Sequence, residues 1–163
     1  PGAAASPGDE RQALTGRLVH RLLQSGDRSG GTAGLAGLAR ALLRRDELAG
    51  VDDLREAVER ACQVYETIRS DPEFAAVPPD ACLFEVPFSM RRAGERVILR
   101  GAIDCLARTG EGRLTVFEFK TGRPSPEHRA QLEIYLSAVR AMLPGTTVDG
   151  RLLYREGGRE SFS

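Results

Sequence analysis

Lysine is almost absent from this chain: of 23 basic residues, every one but Lys120 is arginine. Long apolar runs are missing too. None approaches the roughly 20 residues that a bilayer-spanning helix needs, which excludes a transmembrane helix. The opening stretch, "PGAAASPGDERQ", lacks the basic and apolar regions of a secretory signal. It also lacks an initiator methionine, and the chain stops after "LLYREGGRESFS". A fragment of a larger protein is therefore the expectation. Cysteine is sparse: Cys62, Cys82 and Cys105 are scattered, and no Cys-x-x-Cys occurs. That argues against a disulfide framework and a four-cysteine metal cluster, and it fits a reducing cytoplasm. Net charge is also lacking, at a formal value of zero. A general nucleic-acid binder is usually basic, so any such contact would be local or supplied by a larger parent.

What is present suits one soluble domain. The 163 residues, 41% apolar and 28% charged, are enough for a single good core. Residues 1–8, rich in Pro, Gly and Ala, read as a flexible tail. Leu14, Leu18 and Leu22 give a first helix over about 9–25. After the loop "SGDRSGGTAG", a second helix is expected over about 33–46. A third starts near Asp52 as N-cap, with Leu54, Val58, Ala61, Tyr65 and Ile68 on one face. "SDPEFAAVPPD" ends it. The strand-like segments "CLFEVPFSM", "VILRGAIDCLAR" and "LTVFEFKTG" then read as an antiparallel meander. "RPSPEHRAQLEIYLSAVRAMLPG" is a helix, with Ser125 as cap, Pro126 in the first turn and Pro144-Gly145 as stop. Its core stripe is Leu132, Leu136, Val139 and Leu143. "VDGRLLYRE" is a last strand. A helix crossing between strands three and four makes those two parallel candidates. The fold expected is α+β or α/β: a mixed sheet of about four strands flanked by helices, behind an N-terminal helical segment.

"VFEFKTG" carries the chemistry. Val116, Phe117 and Phe119 place apolar groups on both faces, as in a central strand covered on both sides. Glu118 and Lys120, two apart, share one of those faces. Buried charge costs several kcal/mol unless it is paired or metal-bound. Asp104 closes the apolar segment "GAID", one hairpin earlier. Paired strands would bring it close to Glu118, and two close carboxylates want a cation between them. Hard oxygen ligands suit Mg²⁺ or Mn²⁺. A structural ion pair with Lys120 satisfies the same spacing. In an arginine-biased chain, Lys120 is either a chance survivor or a position that needs a compact ammonium.

"GAID" followed by "FEFKTG" resembles the PD-(D/E)XK nucleases, specifically their RecB-like branch with its restriction-endonuclease-like core. "GRLVHRLL" resembles the family's upstream G-x-x-x-H-x-x-L helix, giving Gly16 and His20. "QLEIY" resembles its Q-x-x-x-Y motif, giving Gln131 and Tyr135. "FEVPF" puts Glu85 where relatives often carry an acid. "DPEFAAV" and "GRLLY" look like the C-terminal nuclease domain of AddA-type helicase–nucleases. The resemblance covers roughly residues 10–155, within a nuclease domain drawn at 9–156 and followed by a tail at 157–163.

The resemblance implies a Mg²⁺- or Mn²⁺-dependent deoxyribonuclease of exonuclease type. It would be the nuclease module of a helicase–nuclease in double-strand-break repair and recombination. Its substrate would be single-stranded DNA or unwound ends, and its partner a helicase motor in cis or on another polypeptide. Its place would be the bacterial cytoplasm, with no membrane. Asp104 and Glu118 would bind the metal, with the Phe119 carbonyl and His20 as further ligands; an imidazole ligand favours Mn²⁺. Lys120 would orient the attacking water and stabilise phosphate charge. Gln131 and Tyr135 would position the strand or that water. Glu85 would stand behind the ligands or pair within the strand. Relatives with an iron–sulfur cluster use four cysteines that this chain lacks, so no cluster is expected. Arg91, Arg92, Arg96, Arg100, Arg123 and Arg129 form either a local phosphate track or a solvated face. A non-catalytic DNA-binding module on the same fold, or a small α+β interaction domain, stays open at this point. Metal-dependent cleavage separates the first reading from both.

Overall fold

Leucines every fourth residue bury one stripe of a helix, and Leu14, Leu18 and Leu22 are all fully buried on α1 (Pro7–Ser25). The computed structural model describes residues 7–26, 32–50, 53–91, 97–154 and 158–162. The chain forms two compact units, residues 1–69 and 70–163. The first unit is helical. α1 packs on α4 (Leu54–Arg69), whose Val58, Ala61, Tyr65 and Ile68 are buried as the periodicity requires. α4 is capped by Asp53, whose carboxylate accepts from the Glu56 N–H at 3.1 Å. The expected cap, Asp52, lies outside the described residues.

The second helix ends earlier than its pattern suggests. α2 spans Thr32–Ala41, and a separate α3 spans Arg45–Gly50. The cause is Glu47, a buried carboxylate that accepts from the Arg44 N–H at 2.9 Å, from Arg17 Nε at 2.8 Å and from Arg21 Nη1 at 2.7 Å. A carboxylate taking the backbone N–H at the start of a helix caps it. The arginines also hold its pKa down at about 2, with the Arg21 hydrogen bond the largest influence, outweighing burial.

The second unit is built on one sheet. Its strands are β1 (Cys82–Arg91), β2 (Ile98–Gly110), β3 (Arg113–Lys120), β4 (Thr147–Tyr154) and β5 (Arg159–Phe162). They lie side by side in chain order. β1–β2, β2–β3 and β4–β5 are antiparallel, whereas β3–β4 is parallel across α6 (Pro126–Met142). That crossover was legible in the sequence. The sheet has five strands and not four, because residues 159–162, expected as tail, pair with β4. Phe162, packed against the core of this unit and lying under the Arg129 guanidinium at 4.8 Å, anchors that short edge strand.

β3 is the central strand and is covered on both faces. Val116 joins Leu132, Leu136 and Val139 of α6 in one core. Phe117 and Phe119 meet Phe74, on the short helix α5 (Pro72–Ala75), edge-to-face at 5.1 and 5.2 Å. α6 lies close on β4 because Gly150 has no side chain: a Cβ there would stand 2.9 Å from Leu132 Cδ2. α6 begins as expected, with Ser125 accepting from the Glu127 N–H and Pro126 in the first turn. Leu143 lies just past the helix end and is exposed, so the core stripe stops at Val139.

Glu47 has a lowered folded pKa, so its contribution is complete above about pH 4.5 and lost as pH falls towards 2. Glu47→Gln is expected to reduce stability to urea at pH 7 by on the order of 2–3 kcal/mol, allowing for the exposure of Arg17. That deficit should narrow markedly by about pH 3. A deficit independent of pH would show that packing, and not charge, is what Glu47 supplies.

Candidate active site

β2 and β3 part company where the charged residues begin. Their ladder runs to the Cys105–Phe117 pair. Beyond it, the Phe119 N–H donates to Asp104 Oδ2 at 2.9 Å, so a side chain takes over from a strand neighbour. That bond fixes Asp104 against β3. Glu118 and Lys120 face α6, as the two-residue spacing requires. Lys120 Nζ donates to Glu118 Oε1 at 2.6 Å and to Gln131 Oε1 at 2.8 Å. Gln131 Nε2 in turn donates to the Tyr135 hydroxyl, one helical turn further along α6. One hydrogen-bonded series thus runs from Glu118 through Lys120 and Gln131 to Tyr135.

The electrostatics are set by burial. Glu118 is 1% exposed, and its Oε2 has no hydrogen-bond partner among the described residues. Burial, then the Asp104 charge, push Glu118 up to about 8 despite the Lys120 ammonium. Burial also pushes Asp104 up to about 6, opposed by the Phe119 N–H and by Lys120. Two carboxylates this close hold one proton between them unless a cation takes its place. Tyr135 is raised to about 12, first by burial and then by Glu118, so its hydroxyl stays neutral.

Glu85 stands across the β1–β2 ladder from Asp104. The ladder pairs Phe84 with Cys105 and Val86 with Ile103 and omits the two acids between. Glu85 has φ 50°, in the left-handed region that non-glycine residues rarely occupy. A carboxylate oxygen of Glu85 and one of Asp104 lie within 4.8 Å. A buried carboxylate oxygen without a partner, beside two further carboxylates, is the donor set of a hard divalent cation. The residues present therefore fit one.

Asp104, Glu118, Lys120, Gln131 and Tyr135, singled out from sequence, are brought into one connected site. Glu85 adjoins it and is largely exposed. Phe119 enters through its N–H, with its ring on the opposite face against Phe74. His20 and Gly16 are on α1, in the first unit. Of the arginines, Arg91, Arg100, Arg123 and Arg129 are exposed, whereas Arg92 and Arg96 lie outside the described residues. Sequence reasoning passed over His128, three residues before Gln131 on the same helix face. Only that i, i+3 spacing pointed to it. Its Nδ1 is, with Glu118 Oε2, one of two buried side-chain polar atoms without a partner among the described residues.

The sequence pattern of the PD-(D/E)XK nuclease superfamily matches residues 2–160. The chain is also 29% identical over 161 residues to one of the subunits of the ATP-dependent helicase/nuclease of Moorella thermoacetica (strain ATCC 39073 / JCM 9320). The match covers 88% of this chain and 11% of that relative.

A raised carboxylate pKa destabilises the fold where the group is forced to ionise: not at all below about pH 4, and fully above about pH 8. Asp104→Asn keeps an acceptor for the Phe119 N–H and removes one charge. Without metal at pH 8, it is expected to be more stable than the parent by roughly 1–3 kcal/mol in urea unfolding. The gain should vanish near pH 4. Added Mn²⁺ should reverse the order by stabilising the parent alone. Equal stability of the two proteins at pH 8 would refute the strained-carboxylate account.

Proposed function

Since the chain belongs to the PD-(D/E)XK nuclease superfamily, we propose that it hydrolyses DNA phosphodiester bonds with Mg²⁺ or Mn²⁺ held by Asp104 and Glu118. The observation that carries this is the partnerless Glu118 Oε2, buried beside Asp104 and tied through its other oxygen to the only lysine in the chain. Glu85 adjoins the ligands from β1, and the Phe119 carbonyl belongs to the proposed shell. His20 enters from its sequence motif alone.

A bound divalent cation supplies Lewis-acid polarisation of the phosphodiester. The protein supplies position and charge. Lys120 has three N–H donors, and Glu118 and Gln131 engage two of them. The third serves a phosphate oxygen or the attacking water, where an ammonium stabilises developing negative charge. Gln131 holds Lys120 at its acceptor oxygen and is itself held by Tyr135. The pair thereby fixes the ammonium and does not merely line a strand path. Arginine at position 120 would put a planar fork where a point charge is held between two oxygens.

The wider reading follows the relative, part of a helicase/nuclease, of which this chain spans about a ninth. It is the exonuclease-type nuclease module of a helicase–nuclease, acting on single-stranded or unwound DNA ends in break repair and recombination. The motor, in cis or on a partner polypeptide, delivers the strand. A formal charge of zero supports that division of labour, because the chain by itself would hold DNA weakly. Three free cysteines suit a bacterial cytoplasm. Among the described residues, no helix is long and apolar enough to cross a membrane.

Cleavage of labelled single-stranded DNA with Mn²⁺, Mg²⁺ or EDTA tests this. Metal-dependent cleavage is expected, with Lys120→Ala and Asp104→Ala each reducing the rate about 100-fold or more. Calorimetry should show Mn²⁺ binding retained in Lys120→Ala and lost in Asp104→Ala. A chain that binds DNA but neither cleaves it nor binds metal is a non-catalytic module on the same fold.

A further inference from the structure

His128 stands in the first turn of α6, on the far side of Lys120 from Asp104. Tyr154, the register partner of Lys120 on β4, lies beside it with ring centroids 5.8 Å apart and planes tilted by 39°. The Tyr154 ring of β4 lies against the imidazole, and the charges of Lys120 on β3, Glu160 on β5 and Glu127 of α6 itself act on it. Glu160 is engaged with the Tyr154 hydroxyl at 3.4 Å. None of these gives Nδ1 a hydrogen bond, and that nitrogen is buried. The residue is partly exposed, and Nε2, unlike Nδ1, is not a buried atom without a partner, so Nε2 is its open side.

This arrangement fixes the tautomer. A buried N–H without a partner is rarer and less tolerable than a buried acceptor without one. The lone pair therefore belongs on Nδ1 and the proton on Nε2. A second proton would create a buried orphan N–H, and both burial and the Lys120 charge lower the imidazole pKa. His128 thus presents one neutral N–H donor at the open edge of the site, next to the ammonium that faces the reacting phosphate. An acceptor with two lone pairs and a negative charge fits that donor best. In a polynucleotide that group is the neighbouring phosphodiester.

We propose that His128 is a substrate-binding residue, donating Nε2–H to a phosphate oxygen of the DNA strand adjacent to the phosphodiester at Lys120. The inference rests on the nuclease reading and adds to it a direction: the strand passes from the carboxylates over Lys120 towards β4 and the start of α6. Tyr154 supports the ring from below. The contact is to backbone and not to a base edge, so it favours no sequence.

The test is steady-state cleavage of an oligothymidylate with Mn²⁺ by the parent chain, His128→Ala, His128→Phe and His128→Gln. Phenylalanine keeps the ring against Tyr154 and removes the donor; glutamine returns an N–H near the Nε2 position. The alanine and phenylalanine variants are expected to raise KM about tenfold, the loss of one hydrogen bond to a charged group. Their kcat should stay within about twofold. Glutamine should restore most of the affinity. Mn²⁺ affinity should match the parent in all three, and urea unfolding should show each variant fully folded under assay conditions. A KM in His128→Phe equal to the parent's, or a loss in kcat alone, overturns the proposal while leaving the nuclease reading intact. If the parent chain does not cleave, binding of fluorescein-labelled oligothymidylate replaces KM. Failure of the parent to bind even at low salt, where a weak phosphate contact is strongest, then overturns both readings, whereas equal binding by parent and His128→Phe overturns this one.

Discussion

The second unit is organised around a repulsion it does not itself resolve. Asp104 and Glu118 are held together in a desolvated position where water alone does not stabilise both charges. Lys120 offsets part of this from one side, through one oxygen of Glu118. The other oxygen is left facing nothing that donates among the described residues. Buried polar atoms are nearly always satisfied, so an exception of this kind calls for an explanation, and the proposed cation supplies one. The remaining geometry keeps the two acids from relaxing apart.

Three devices do that. The Phe119 N–H, released from the strand ladder, holds Asp104 by its carboxylate. The α6 helix, brought close by the missing side chain at Gly150, sets Gln131 against Lys120. Beneath them, Phe117 and Phe119 lock β3 against Phe74 on the opposite face, so that the strand does not twist to expose Glu118. Each is an ordinary element of packing. Together they hold an arrangement that the charges themselves would undo.

Much of this was written in the sequence, for physical reasons that differ by element. The alternation in "VFEFKTG" required a two-sided strand, and the leucine spacing of α1 and α6 required helices buried on one stripe. The parallel pairing of β3 and β4 followed from a helix between them. What escaped had weaker local signals. The break between α2 and α3 depends on Glu47 meeting two arginines from α1, a contact that no local pattern encodes. β5 is four residues long, too short for an alternation to register. The site residues were legible as an ordered set, but the link that makes them a network was not. That Gln131 accepts from the Lys120 ammonium depends on how α6 lands on the sheet. His128 was hidden because a histidine on a helix means little until its surroundings are known.

The β3–α6–β4 crossover also fixes an order of events. Hairpins such as β1–β2 and β2–β3 close over short separations, whereas a parallel pair waits for the chain between to fold and return. Asp104 and Glu118 leave the ribosome before Gln131, the rest of α6 and Tyr154 do. For that interval the two acids share a half-built sheet with one face uncovered. In water they ionise without strain, and the nascent sheet is held by its turns and its phenylalanines. Docking of α6 is the step that dries the site. The burial that raises both carboxylate pKa values is complete only once α6, which also contributes to the core, has packed on the sheet, so the hairpins by themselves need not carry that strain.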